Sequence, residues 1–420
     1  MNSEISIKDY VTNAYIGFGK SMNIDRHLPF YLDGLKPVYQ RLITSALEFK
    51  DFMKSATVAG ICIGRYHPHS DKSINKVIAK VVNLGIFDGQ GNFGYRHLTG
   101  EVDEPAAMRY TEIRLNPEIR NQISKFIEFV PKTLSESGYE MPTYIPTPIP
   151  FALIGGDQGI AIGINQKIPA FTAKSILNAY LKDDPNELES QYGLTLDKTK
   201  SSLKKLWDEG AGRIYLSMKV ETDWNGATIE GDTSLFTPDL SYLFQEYKWG
   251  NVDFQNLSEG QGKLRFSKPP RTRKMSVAYI QQLVKDAAKW DSPYYIRVHD
   301  ENNGFPISMR TWIDICYKNY CELVRKGHQV EINRLNRKIL FYTNLNPIYN
   351  ELVNTRNSKA DISSKFNVDL GLVKEIATKS ADYVRHTNVN EKIAECQSRI
   401  DFINNSSIKS QIESYVGVLK

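Results

Sequence analysis

The chain has 420 residues, 41% of them hydrophobic, and a formal net charge of +5. That supports real cores in about two to four domains, and the mildly basic balance is compatible with nucleic acid without requiring it. The four cysteines (Cys62, Cys316, Cys321, Cys396) are scattered with no CxxC pair, which argues against a zinc site or a disulfide framework and fits a reducing compartment. The N-terminus has no apolar leader, and no run of about eighteen apolar residues suggests a membrane span.

Residues 1–27 read as an arm plus a helix. A cation-rich stretch follows: Arg26-His-Leu-Pro29, then Asp33-Gly-Leu-Lys-Pro37 and Arg41. Pro37 to Phe49 is one expected helix, and Thr57 to Ile63 opens another. Arg65-Tyr-His-Pro-His-Ser-Asp71 sets two histidines either side of a proline. The next expected helix covers Asp71 to Asn83, with Ser70 or Asp71 as N-cap. Ile74, Val77, Ile78 and Val81 form its apolar stripe, while Lys72, Lys76 and Lys80 recur every four residues on another face. Such a lysine row is either a solvated face or a phosphate-facing one. After a helix-turn-helix pattern, whose second helix enters a DNA groove, the DNA reading is preferred. Phe87-Asp-Gly-Gln-Gly-Asn-Phe-Gly94 is a glycine-punctuated loop. Ala106-Ala-Met-Arg-Tyr-Thr-Glu-Ile-Arg114 then places Tyr110 directly after Arg109. A phenol with a pKa near ~10 is a poor nucleophile, and an adjacent guanidinium favours the phenolate and holds an attacked phosphate.

From 151 to 305 strand-like runs (Arg213 to Val220, Tyr294 to His299) mix with an amphipathic helix, Ser276 to Trp290. The linker Gly262 to Lys274 carries Lys263, Arg265, Lys268, Arg271, Arg273 and Lys274 with no acid. It reads as a phosphate-binding loop or as a solvated one. Beyond Phe305, Ile332, Leu335, Ile339 and Tyr342 follow heptad spacing, as do Ile393, Cys396, Ile400 and Ile403. Pro347 and the Asn- and Ser-rich stretch 354–367 are expected to interrupt these seams. Two long antiparallel helices with a small helical cap between them is the economical reading.

These motifs, in order and at this spacing, resemble the DNA-breakage subunit of type IIA topoisomerases. That family includes the A subunits of gyrase and topoisomerase IV, together with the medium subunit of T-even phage topoisomerases. The likeness runs from about Leu28 to Pro169 and takes in Pro142 to Pro150 and Gly159-Ile-Ala-Ile-Gly163. The fold it implies is a mixed α/β multidomain protein. A winged-helix DNA-breakage domain (28–150) follows the arm (1–27). An α/β tower (151–305) comes next, then a coiled coil with a helical exit gate (306–420, gate about 346–385).

The resemblance implies that Tyr110 attacks a DNA phosphodiester to give a 5′-phosphotyrosyl bond, with Arg109 as the adjacent transition-state arginine. It places Arg26, Lys36, Arg41, His67, His69, Lys72, Lys76 and Lys80 against DNA, and Ile168 as an apolar wedge entering a base step. Tyr39 and Gln40 depart from the His-Arg of the gyrase branch, and Ser70 replaces a glycine. Lys72 and Lys76 stand where bacterial enzymes usually carry a serine and an acid. The sequence offers no DxD cluster and no ATP signature, so Mg²⁺ and ATP are expected on a separate Toprim/ATPase subunit. The other implied partners are double-stranded DNA and a second copy of the chain. No membrane association is expected, and the implied location is the cytoplasm of a bacterial cell or a phage-infected host. The chain stops soon after the second heptad segment, and a repeated-blade DNA-wrapping domain is expected to be lacking. The alternative function is a non-catalytic DNA clamp that retains the fold.

Overall fold

Asp33 is completely buried, an unusual place for a carboxylate, and three donors explain it. Its Oδ1 accepts from the Leu35 amide (2.8 Å), and its Oδ2 accepts from Gln40 Nε2 (2.7 Å) and from the Ile145 amide (2.8 Å). One side chain thereby ties the turn after Phe30, the second helix of the chain and the loop 142–150 together. Gly34 sits in this turn at φ +73°, where a Cβ would lie 2.8 Å from the Phe151 nitrogen, so only glycine fits.

The computed structural model describes residues 6–96, 102–231, 240, 253–256, 263–268 and 276–419. It is a mixed α/β protein that divides into two units, residues 1–321 with 412–420, and residues 322–411.

The first unit opens with α1 (Ile7–Met22), α2 (Pro37–Ala46), α3 (Ser55–Ile61) and α4 (Asp71–Asn83). The bounds of α4 agree with the periodicity reading, and Ile74, Val77, Ile78 and Val81 are all buried. Ser70 occupies the cap position but makes no side-chain cap bond; the Asp71 carboxylate accepts from the Lys72 amide instead. A three-stranded antiparallel sheet follows, with Glu112–Leu115 in the centre between Met53–Lys54 and Phe87–Gln90. Further along, a five-stranded antiparallel sheet contains the hairpin Asp157–Ala161 and Ile164–Ile168, and the long strands Ala211–Ser217 and Lys289–Tyr295. A four-stranded sheet (219–222, 226–230, 263–267, 253–256) packs on the helix Val277–Ala287. The strand Lys263–Ser267 corrects the loop expected at 262–274: Leu264 and Phe266 point into the core and draw the chain into the sheet. The tail helix Ile408–Val416 buries Tyr415, whose hydroxyl donates to the Pro146 carbonyl and braces the loop that Asp33 holds.

The helix Met309–Asn354 starts in the first unit and ends in the second. It continues through Pro347, against expectation. A proline inside a helix costs about 3 kcal/mol, but Leu345 and Ile348 beside it are fully buried and outweigh that cost. In the second unit Leu335 packs with Cys396, Ile400 and Ile403, and Ile332 and Ile339 cover them, so the two heptad seams meet. His328 meets Gln411 at 3.0 Å, which makes the return path antiparallel. Short helices at Lys359–Phe366, Leu370–Ala377 and Ala381–His386 share a second core with Phe341, Leu345 and Ile348. No helix among the described residues is long and apolar enough to cross a membrane.

Replacing Asp33 with asparagine would turn an amide donor toward a backbone N–H that now has an acceptor. Asp33→Asn is expected to lower the unfolding free energy of the first unit by about 1–3 kcal/mol, measured as a drop in the chemical-denaturation midpoint. An unchanged midpoint would show that the three bonds do not hold the turn.

Candidate active site

Tyr110 lies at the end of a tight turn just before the central strand of the three-stranded sheet, and it is 66% exposed. The turn is anchored on three sides. Its Tyr110 amide donates to the Ala107 carbonyl (2.8 Å), and the Ala106 amide donates to the Asn92 carbonyl (3.0 Å) in the glycine loop. The Ser55 amide donates to the Thr111 carbonyl (2.9 Å), and the buried Thr111 hydroxyl donates to Ser55 Oγ (2.7 Å). Gly91, at φ +114°, lets the glycine loop pass close to Thr111; a Cβ there would be 2.9 Å from Thr111 Cγ2. A large exposed aromatic on so constrained a turn gains little from burial. Arg109 stacks over it with its guanidinium carbon 4.5 Å from the ring centroid. Arg109 has no hydrogen-bonding partner among the described residues, so its donors remain available.

The helical stretch that begins at Ser55 ends at Tyr66, in a π-type turn whose last bond runs from the His67 amide to the Cys62 carbonyl (2.7 Å). One helical segment therefore anchors the tyrosine turn at its start and delivers the histidines at its end. His67 is 5% exposed, and its Nδ1 accepts from the Arg41 guanidinium (2.7 Å). Burial, and then the charge of Arg41, pushes the imidazole down to about 3, so it is neutral and keeps its proton on Nε2. His69 packs edge-on to it, ring centroids 4.3 Å apart. Arg41 also approaches Glu136 (3.4 Å), and His69 Nε2 lies 4.0 Å from the same oxygen.

The expected lysine row does not hold together. Lys72 and Lys76 are exposed on α4 with no ion-pair partner among the described residues. Lys80 turns inward, with its ammonium 5.5 Å from the Tyr39 ring and 3.7 Å from Asp157. Burial would lower its pKa, but Tyr39 and Asp157 outweigh that and hold it above the usual value. Lys36 is likewise committed, pairing with Asp157 at 2.9 Å while only 13% of its side chain is exposed. Asp157 also accepts from the buried Gln166 amide (2.8 Å). Lys36 and Lys80 thus clamp the hairpin to α2 and α4 instead of presenting charge to solvent. Arg26 is exposed.

Ile168 needs a further correction. Its side chain has no exposed surface, because strand alternation from Ile164 points Gln166 and Ile168 to the inner face. It is a core residue, not a protruding wedge. In the basic run, Lys263 lies 3.4 Å from Glu230 and Arg265 pairs with Asp223 at 2.6 Å, so two of its six cations have acidic partners. Arg271, Arg273 and Lys274 fall outside the described residues. Asp157 and Glu136 were missed by the sequence reading. Asp157 borders the glycine hairpin and Glu136 sits in a Ser-Glu-Ser-Gly turn, but neither position tells which cation it meets. Among the described residues no three His, Cys, Asp or Glu side chains gather as a metal-binding group.

Residues 26–228 match the family model described as the A subunit of DNA gyrase/topoisomerase IV. The chain is 32% identical over 253 residues to the DNA gyrase A subunit of Buchnera aphidicola subsp. Baizongia pistaciae, covering 51% of this chain and 28% of that one. It is 34% identical over 197 residues to the DNA gyrase A subunit of Dehalogenimonas lykanthroporepellens (43% and 24%). With the DNA gyrase A subunit of Escherichia coli K12 it shares 28% over 264 residues (57% and 29%). The chain spans less than a third of the length of these curated relatives.

The neutral His67 has a consequence for pH. Its folded pKa, about 3, lies below the ordinary 6.5. The unfolded chain therefore takes up the proton first, and the stability that His67 contributes is full above pH 6.5 and lost as pH falls toward 3. His67→Gln is expected to flatten the acid limb of the stability profile in that window, and the ring resonances of His67 should not titrate above pH 5. A His67 midpoint near 6.5 by NMR would refute the burial account.

Proposed function

We propose that the chain is a member of the family of DNA gyrase/topoisomerase IV A subunits, whose model residues 26–228 match, and that it is the DNA-cleavage and religation subunit of an ATP-dependent type II topoisomerase. The observation that carries this reading is the exposed Tyr110 on its anchored turn, with Arg109 stacked on its ring. In the proposed reaction the Tyr110 hydroxyl loses its proton and its oxygen attacks a backbone phosphorus. The bond from phosphorus to the 3′ oxygen breaks, and the leaving oxygen takes up a proton. One phosphodiester replaces another, so the step is nearly isoenergetic and the 3′-hydroxyl can reverse it. Arg109 would donate to the phosphate oxygens as charge develops on them. Two such links in a homodimer would open both strands for passage of a second duplex, giving relaxation and decatenation.

The rest of the site supports the reading in graded fashion. Arg41 and neutral His67 form a preset donor pair, and Lys72, Lys76 and Arg26 are exposed cations suited to phosphates. The succession of α3, the histidine turn, α4 and a three-stranded sheet is compatible with a winged helix. The two larger sheets would form the tower, and the second unit a coiled coil with a dimerising gate. The described residues do not themselves assemble a metal site; Mg²⁺ and ATP would be brought by a Toprim/ATPase subunit. A cytoplasmic location in a bacterial cell or phage-infected host goes with this assignment.

Tyr110→Phe should abolish the protein–DNA adduct trapped by detergent in the presence of Mg²⁺ and the partner subunit, a loss on the order of 10³-fold or more, while duplex binding persists. Arg109→Ala should slow cleavage by about 10²–10³-fold. Adduct formation by the Phe variant would overturn the assignment of the nucleophile. Separately, Lys72→Ala and Lys76→Ala should each reduce the salt dependence of DNA binding by about one unit of log–log slope per site. Unchanged slopes would remove α4 from the DNA interface.

A further inference from the structure

Glu136 stands on the turn between the strands Lys132–Leu134 and Glu140–Pro142. The turn is built to a fixed position. Ser135 Oγ donates to the Arg65 carbonyl (2.6 Å) and accepts from the Tyr139 amide (3.1 Å), and the Ser135 amide donates to the Tyr139 carbonyl (2.8 Å). Tyr139 packs edge-on to Tyr66, with the Arg65 guanidinium 5.7 Å from its ring centroid. This framework aims the Glu136 carboxylate at Arg41 (3.4 Å) and at His69 (4.0 Å), while half of the side chain stays exposed. Arg41 is 13% exposed, and its other close partner is the neutral His67. Glu136 is therefore the only acid within ion-pair distance of this guanidinium among the described residues.

A carboxylate and a phosphate ask the same thing of an arginine: two anionic oxygens in its donor plane. Glu136 differs from Asp157, the other acid near the site. Asp157 is nearly sealed from solvent and holds its lysines for the fold. Glu136 is half-exposed at a longer distance, where an ion pair contributes little and can be exchanged. We propose that Glu136 is a positioning residue that holds the place of a DNA phosphate at Arg41, keeping the guanidinium oriented against His67 until nucleic acid displaces the carboxylate. This rests on the reading of Arg41 as a phosphate contact. In the wild-type chain, DNA must exchange a carboxylate for a phosphate, so Arg41 contributes little to net counterion release. Without the carboxylate, Arg41 counts as one more cation released to the phosphates.

The test is duplex binding by the full chain, followed by fluorescence anisotropy of a labelled DNA duplex across a salt series. For each extra phosphate neutralised log K changes by about 0.9 per decade of salt. Glu136→Gln and Glu136→Ala should therefore bind about eightfold more tightly at ~0.1 M salt, with a log–log slope steeper by about 0.9 per site. Glu140→Gln removes the same charge from the same hairpin but away from Arg41, and should change affinity by less than about twofold. In an Arg41→Ala background Glu136→Gln should have no effect beyond about twofold, since the residue through which it acts is gone. The inference is overturned if Glu136→Gln leaves slope and affinity unchanged, if Glu140→Gln gives the same gain, or if the gain survives in the Arg41→Ala background. If wild type and variants alike fail to bind duplex, the phosphate-contact reading itself falls, and the inference with it.

Discussion

The buried carboxylate of Asp33 is the constraint on which the first unit depends. Its three donors come from a turn, from α2 and from the loop 142–150. Burial raises its pKa to about 7, against the pull of those donors. A charge that costly to bury persists only where the surrounding backbone is arranged to receive it. The arrangement sets the rotation of α2, and α2 carries Arg41 one residue beyond Gln40. The departure that places glutamine at position 40 then has a structural account: an amide donates to Asp33 there, in the middle of a buried network.

From α2 outward the site is a hierarchy of rigidity. Asp157 binds Lys36, Lys80 and Gln166 into a nearly dry cluster that joins the hairpin 157–168 to α2 and α4. Arg41 and His67 form a largely buried pair, with the imidazole kept neutral so that it accepts from the guanidinium, and the half-exposed Glu136 stands at its rim. Outermost are Tyr110, Arg109, Lys72 and Lys76, all exposed. Rigid groups hold the backbone, and the groups suited to phosphate lie where a large polyanion can reach them. The cleft lined by Tyr39, Lys80, Asp157 and Gly155 belongs to the inner layer. Both of its lysines, Lys36 and Lys80, are already paired with Asp157, which sets it apart from the exposed Tyr110 turn.

Much of this was legible in the sequence, because much of it is local. The stripe Ile74, Val77, Ile78, Val81 specified the body of α4, since a period near 3.6 has one helical reading over that length, and the turn before Asp71 set its start. The heptad seams likewise announced the packing of Leu335 on Cys396 and Ile400. The Arg109-Tyr110 pair, the two histidines and the glycine loop marked a candidate site through ordered motifs, and the structure brings the turn and the histidines onto the two ends of one helical stretch.

What only the tertiary structure decided concerns direction and pairing. Lys72, Lys76 and Lys80 share a spacing, yet only Lys80 has Asp157 within reach, from a hairpin far along the chain. Arg41 meets Glu136 across 95 positions, a distance over which no periodicity carries information. Ile168 looked available in an Ile-Pro loop, and its place at the end of the strand Ile164–Ile168 turned the side chain to the buried face. Pro347 should have stopped a helix by local rules, and the buried residues on either side overrode them. In each case residue type and spacing specified what a side chain is able to do. The free energy of burial and of ion pairing between distant segments selected which of those possibilities the folded chain uses.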